Sequence, residues 1–203
     1  MNPVPLPRIT PLKLGRRVAP FDDPAWLYEL KWDGFRALAD IEDGACRLVS
    51  RKGNAFQSWL ALCDSLAAVP VVSAILDGEI VCLDVHGKAD FKSLLFRRGV
   101  PLFYAFDLLW HNGHDLRRHT LIERKDVLLR LLRDCQDGVR YVEHFSAEEG
   151  AAFFEVCCAH DLEGVVAKRR DGTYLDRDRE TAWLKIKNKG YTGAVDRHDL
   201  FAT

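Results

Sequence analysis

Two spacings of apolar residues organise this chain. Short aliphatic and aromatic runs, bounded by Gly, Asp, Asn or Pro, predict strands over residues 26–31, 35–41, 46–50, 75–83, 102–110, 164–169 and 182–187. Between them the apolar positions recur at helical spacing. Trp59, Leu60, Cys63 and Leu66 predict a helix over 56–69. Thr120 with Glu123, and Ser146 with Glu149, have the spacing of a capping box, and each precedes an apolar-periodic run. Helices are therefore expected over 121–133 and 147–160. Asn112-Gly113 after the 102–110 run signals a tight turn, which gives His111 and His114 a place at a turn surface and no metal role. Strands separated by long helical connections predict an α+β domain with antiparallel sheets.

Residues 1–24 hold six of the eight prolines, so an extended N-terminal arm is expected there, followed by one folded domain over 25–190 and a tail over 191–203. With 203 residues and 48% apolar content the chain can bury a full core, which excludes disorder. The net charge of −1 creates no global field for nucleic acid, so such contacts must come from local basic groups, such as Arg97-Arg98, Lys168-Arg169-Arg170 or Lys185, Lys187 and Lys189. The six cysteines include no C-x-x-C pair and read as reduced thiols without a zinc site. Neither a signal-peptide pattern nor a membrane-length apolar run is seen, so a cytoplasmic location is expected.

Candidate chemistry enters with Lys31-Trp32-Asp33-Gly34, at the end of the first strand run. It places a lysine where a covalent nucleotidyl-transfer nucleophile would stand. Three fixed residues are a weak motif alone, and an ordinary surface lysine before a turn fits them as well. Companion motifs follow in order: Ser50-Arg51-Lys52-Gly53, Leu76-Asp77-Gly78-Glu79-Ile80-Val81, Phe103-Tyr104-Ala105-Phe106-Asp107, Leu162-Glu163-Gly164-Val165-Val166-Ala167-Lys168 and Trp183-Leu184-Lys185-Ile186-Lys187. On a strand, Glu29, Lys31 and Asp33 would share one face, and Asp77 and Glu79 another, with Gly78 leaving room for a backbone or ligand. Lys168, five residues after Glu163, would point away from it on a regular strand.

With these motifs in this order, the chain from about Pro11 to Lys187 resembles the adenylation (nucleotidyltransferase) domain of ATP-dependent DNA ligases, most closely the ligase domain of bacterial ligase D. The resemblance implies an ATP-grasp-like nucleotidyltransferase fold of antiparallel sheets flanked by helices. Only sixteen residues follow Lys187, so the OB-fold domain that such ligases carry there is expected to be missing.

The resemblance implies that Lys31 attacks the α-phosphorus of ATP and carries AMP as a phosphoramidate. Lys185 and Lys187, with a divalent metal, would favour its unprotonated form. Asp33 would assist the later steps. Glu163 and Glu79 would hold magnesium or manganese, with Glu79 also near the ribose. Phe106 would stack on adenine, Glu29 would accept a hydrogen bond from its amino group, Arg36 and Arg51 would contact the ribose and the 5′-phosphate, and Lys168 is a secondary candidate for the ATP site.

The implied partner is nicked or broken double-stranded DNA, with an OB-fold or end-binding protein acting in trans and a nucleoid-associated location. An RNA ligase shares the same machinery, and a repair-protein binding module without turnover is a rival from another class. A capping guanylyltransferase fits less well, because Glu29 faces adenine.

Overall fold

The turn at Lys31–Gly34 joins two different sheets. In the computed structural model, residues 5–135, 137–146, 148–175 and 182–193 are described. Residues 1–4 of the expected arm, Ala147 of the expected third helix and 194–203 of the expected tail lie outside them.

Strand β1 covers Gly15–Arg16, β2 Trp26–Leu30, β3 Phe35–Glu42, β4 Ala45–Ser50, β5 Ser73–Cys82 and β6 Pro101–His111. The short β7 (His114–Asp115), β8 (Val139–Tyr141) and β9 (His144–Phe145) follow, and then β10 (Gly164–Arg169) and β11 (Trp183–Lys187). The order β1-β11-β10-β2-β9 makes one sheet; β4-β3-β5-β6-β7 makes the other, with β8 also on β6. Most pairings are antiparallel as expected, but β1 on β11 and β8 on β6 run parallel. Both exceptions are two- or three-residue strands reached through long connections, too short for a period-2 signal.

The sheets face each other across a shared core, in which Leu27, Val166 and Trp183 of one meet Leu38, Ile75 and Leu109 of the other. On the outer face of the β3–β5–β6 sheet, Ala37, Ala39 and Ile80 cluster with Leu62 and Leu66 of α1 (Leu60–Ala67), Leu94 of α2 (Phe91–Leu95) and Leu128 and Leu132 of α3 (Leu121–Leu132). The outer face of the other sheet buries Tyr28, Val165 and Ile186 against Cys157 and Phe153 of α4 (Gly150–Ala159). The strand alternation of apolar and polar residues thus feeds two outer cores and one inner core.

Helix starts divide the two capping predictions. Glu123 Oε2 accepts from Thr120 N at 2.9 Å and from Thr120 Oγ1 at 2.7 Å, and α3 begins at the next residue. Ser146 Oγ instead donates to the Glu149 side chain at 3.3 Å and caps no backbone group, so α4 starts at Gly150. The helix expected over 56–69 is only Leu60–Ala67, because Trp59 takes a left-handed φ of 66° while its ring packs on Phe35 and Phe56. Helix α2 was not foreseen; Asp90 caps it by accepting from Ser93 N at 2.9 Å. Asn112 and Gly113, with φ of 47° and 87°, form the expected tight turn.

Candidate active site

Strand β2 ends at Leu30, so Lys31 to Gly34 are placed by a turn and not by strand alternation. That turn crosses from one sheet to the other and presses on β5: a Cβ on Gly34 would lie 2.1 Å from the Ile80 carbonyl oxygen. Only glycine permits the crossing. It leaves Lys31 at the junction, its backbone N donating to the Gly164 carbonyl at 2.9 Å.

Lys31 Nζ lies 2.5 Å from Glu163 Oε2, and Lys187 Nζ lies 3.3 Å from Glu163 Oε1. Register explains the gathering. Arg16 pairs with Lys185, Lys185 with Val166, and Val166 with Glu29, so these residues line one face across four strands. Lys187 lies two residues further along the same face. Burial lowers the Lys185 pKa, and nearby Lys187, Lys31, Arg16 and Arg51 lower it further. Arg51 itself is exposed.

The regular strand that would separate Lys168 from Glu163 by parity is interrupted at Gly164. Gly164 has φ 132°, and a Cβ there would sit 2.1 Å from the Ile186 carbonyl oxygen. This kink breaks the alternation, so Glu163 turns to Lys31 and Lys187 while Lys168 stays on the face of Glu29.

Asp33 is 3% exposed and accepts from the Tyr191 hydroxyl at 3.1 Å, whose pKa rises through burial and this carboxylate. Beside it lies a cavity of about 300 Å³ lined by Lys31, Asp33, Lys88, Asp161, Glu163 and Tyr191 among others. Glu79 packs against Gly34, and burial pushes its pKa up to about 8 despite Lys31 and Arg36 nearby. The space beside Gly78 is taken by the Phe103 ring, 2.5 Å from where a Cβ would stand, so it admits no ligand.

Under this rim lies a buried ionic floor. Glu29 is 2% exposed and sits between two lysines: Lys125 Nζ is 2.6 Å from Oε1 and Lys168 Nζ 2.5 Å from Oε2. The Lys168 ammonium also lies 4.2 Å from the centre of the Phe106 ring and 4.0 Å from that of Trp183. Burial lowers its pKa to about 8, although Glu29 opposes that shift. Phe106 is half-buried, edge-on to Trp183.

Half-buried Arg36 forks its guanidinium onto Asp77 at 3.0 and 2.7 Å and donates to the Leu12 carbonyl at 2.6 Å. Asp77 also accepts from Tyr174 at 2.6 Å. Across the strand pair from Asp77 stands Asp107, which Arg124 grips at 2.8 Å through two nitrogens.

Lys125, Arg124, Tyr191 and Arg16 escaped the sequence reading. For Lys125 a signal existed: it lies on the apolar stripe of α3 with Leu121, Leu128 and Leu132, where a lysine must find a buried partner. Arg16 and Tyr191 had none, since strand pairing and a turn place them.

Among the described residues, no group of three or more His, Cys, Asp or Glu could hold a metal, and Glu79 and Glu163 are two carboxylates near Lys31. That pair suits magnesium, which takes one or two carboxylates and completes its shell with phosphate oxygens and water.

The family profile described as ATP dependent DNA ligase domain matches residues 13–187. The multifunctional non-homologous end joining protein LigD of Pseudomonas aeruginosa is 38% identical over 168 residues, covering 80% of this chain and 20% of that protein. The ligase domain of M. tuberculosis LigD superposes with a TM-score of 0.76 at 31% identity, covering 88% of this chain and 59% of that one. A mycobacterial DNA ligase D complexed with ATP and MES gives 0.73 at 32%, covering 88% and 60%. The chain thus spans about a fifth of the length of the LigD proteins of Pseudomonas aeruginosa and Mycolicibacterium smegmatis.

Proposed function

The chain belongs to the ATP-dependent DNA ligase family, and from that membership we propose that it is the catalytic, self-adenylating part of a ligase that seals nicked or broken DNA in end-joining repair. The observation that carries this reading is the convergence of Lys31 and Lys187 on Glu163, with Lys185 in register with the strand face that bears the buried Glu29–Lys168 pair.

Lys31 attacks the α-phosphorus of ATP as the free amine. The Nζ–P bond forms, the bond from Pα to the bridging oxygen breaks, and pyrophosphate leaves. Glu163, 2.5 Å away, is the carboxylate within reach of the proton that the amine gives up. AMP then passes to the 5′-phosphate of a nick, where the 3′-hydroxyl displaces it. Asp33 orients groups in these later steps, and exposed Arg51 offers its guanidinium fork to phosphate. Glu163 and Glu79 would hold magnesium or manganese, which supplies positive charge for the α-phosphoryl group.

Base choice follows from polarity. Adenine offers an amino donor beside a ring-nitrogen acceptor, and the floor offers the complement: Glu29 accepts and Lys168 donates. Guanine presents the reverse. Phe106 supplies the stacking face.

On the DNA side we propose a second clamp, an OB-fold or end-binding partner acting in trans, and a nucleoid location; among the described residues no helix is long and apolar enough to cross a membrane. The first test is the mass of the chain after incubation with ATP and magnesium. One added AMP, absent in Lys31→Ala, is expected; an adduct that persists in that variant rejects the assignment. Sealing of nicked DNA against nicked RNA then fixes the polymer.

A further inference from the structure

Two lysines on one buried carboxylate are one cation more than neutrality needs, and burying a surplus charge is costly. The two are not held alike. Lys125 is fully buried, and its Nζ meets Glu29 Oε1 at 2.6 Å, donates to the Val142 carbonyl at 3.1 Å and lies 4.5 Å from the centre of the Tyr141 ring. Three partners from three directions fix it in place. Lys168 meets Glu29 Oε2 at 2.5 Å, and its other neighbours are the faces of Phe106 and Trp183. Those faces hold a cation but accept no conventional hydrogen bond.

We propose that Lys125 is a positioning and specificity-determining residue: by neutralising Glu29 from the core side, it frees Lys168 to donate to the adenine edge while Glu29 accepts from the amino group. This rests on the reading of the floor as the adenine site. Burial lowers the pKa of Lys168, in keeping with an ammonium whose remaining neighbours are ring faces. If Lys125 is lost, Lys168 becomes the sole counter-ion of a buried carboxylate and is drawn away from the base. Base choice then fades although no group touching ATP has been changed.

The test is Lys125→Met, which keeps the unbranched chain to within one atom of its length and removes the charge. Lysyl-nucleotide formation is measured with ATP and with GTP. The expected result is a fall of at least tenfold in the ratio of kcat/KM for ATP to that for GTP, carried mainly by a higher KM for ATP. A folded variant with the parental ratio overturns the proposal. The unaltered chain supplies a second measurement, which does not depend on the variant folding: NMR of the lysine Nζ groups during titration with AMP. The Lys168 signal should shift and that of Lys125 should stay; movement of both, or of Lys125 alone, also overturns it. Glu29→Gln, combined with Lys125→Met to keep the floor balanced, separates the two levels. If this pair retains the parental ATP preference, the adenine reading of the floor fails, whereas loss of preference in the pair without loss in Lys125→Met rejects only the role of Lys125.

Discussion

Glu29 in the floor and Glu163 at the rim each meet two lysines, in opposite settings. The partners of Glu29 are 0% and 2% exposed, whereas Lys31 and Lys187, the partners of Glu163, keep 18% and 49% of their side-chain exposure. Removing one member of a buried pair strands a charge away from water, while an exposed partner is replaced by solvent. The floor is therefore built to stay and the rim to exchange partners, as a site must if phosphates are to enter between its cations and carboxylates.

Arg124→Ala should break this comparison most severely on the floor side. Asp107 and Arg124 are both 0% exposed, so the variant leaves a buried carboxylate unpaired and should lose about 3–5 kcal/mol of stability in urea unfolding. Lys187→Ala should stay within about 0.5 kcal/mol of the parent. Equal losses in both variants would erase the distinction.

The next largest effect lies at the rim and is kinetic. Glu163→Ala and Lys187→Ala should each slow lysyl-AMP formation about 100-fold or more, the range seen when one group that stabilises transition-state charge is removed. Rapid-quench rates at saturating ATP, with melting curves alongside, provide the check. Parental rates in either variant would remove that residue from the chemistry.

Phe106→Ala probes the boundary between the regions. It should weaken ATP binding by about 1–3 kcal/mol, by analogy with base–aromatic stacking. Stability should fall too, because Phe106 packs on Trp183. Titration calorimetry that finds normal affinity in a destabilised variant would assign Phe106 to the core alone.

The sequence exposed the rim better than the floor, for a physical reason. Rim residues sit at strand ends and turns, where Lys31-x-Asp33-Gly34 and Glu163-Gly164 leave local signatures: each glycine fills a place that a Cβ would close. Long strands were visible to within two residues from their runs, and α3 from its capping box. The floor depends on contacts between distant segments. Lys125 and Glu29 are 96 residues apart, and no local pattern pairs them. Arg36 likewise depends on a distant partner: Asp77, 41 residues away, holds its guanidinium. Trp59 misled because ring packing on Phe35 and Phe56 overrode a local helix signal, and Ser146 because its hydroxyl bonds the Glu149 side chain.

Glu79 stands between the two regions and should give the smallest effect. Burial holds its pKa at about 8 against an ordinary value of 4.5, so across that interval the folded protein retains a proton that the unfolded chain has released. Stability must then decline as pH rises from about 4.5 to 8 and level off above, since the folded state binds more protons than the unfolded one there. Glu79→Gln cannot titrate, so its stability should hold where that of the parent falls. The gap between them should widen from pH 5 to pH 8 and reach about 1–2 kcal/mol. That figure is well below ~1.4 kcal/mol per pKa unit over the whole shift, because the side chain retains part of its hydration. Urea unfolding of both proteins at several pH values, in a chelator so that no divalent ion binds the ionised form, measures the gap. Parallel curves would place Glu79 with the ion-paired Glu163 of the rim, whereas a widening gap places it with the floor, as a buried acid whose ionisation a metal or a neighbouring cation must draw out.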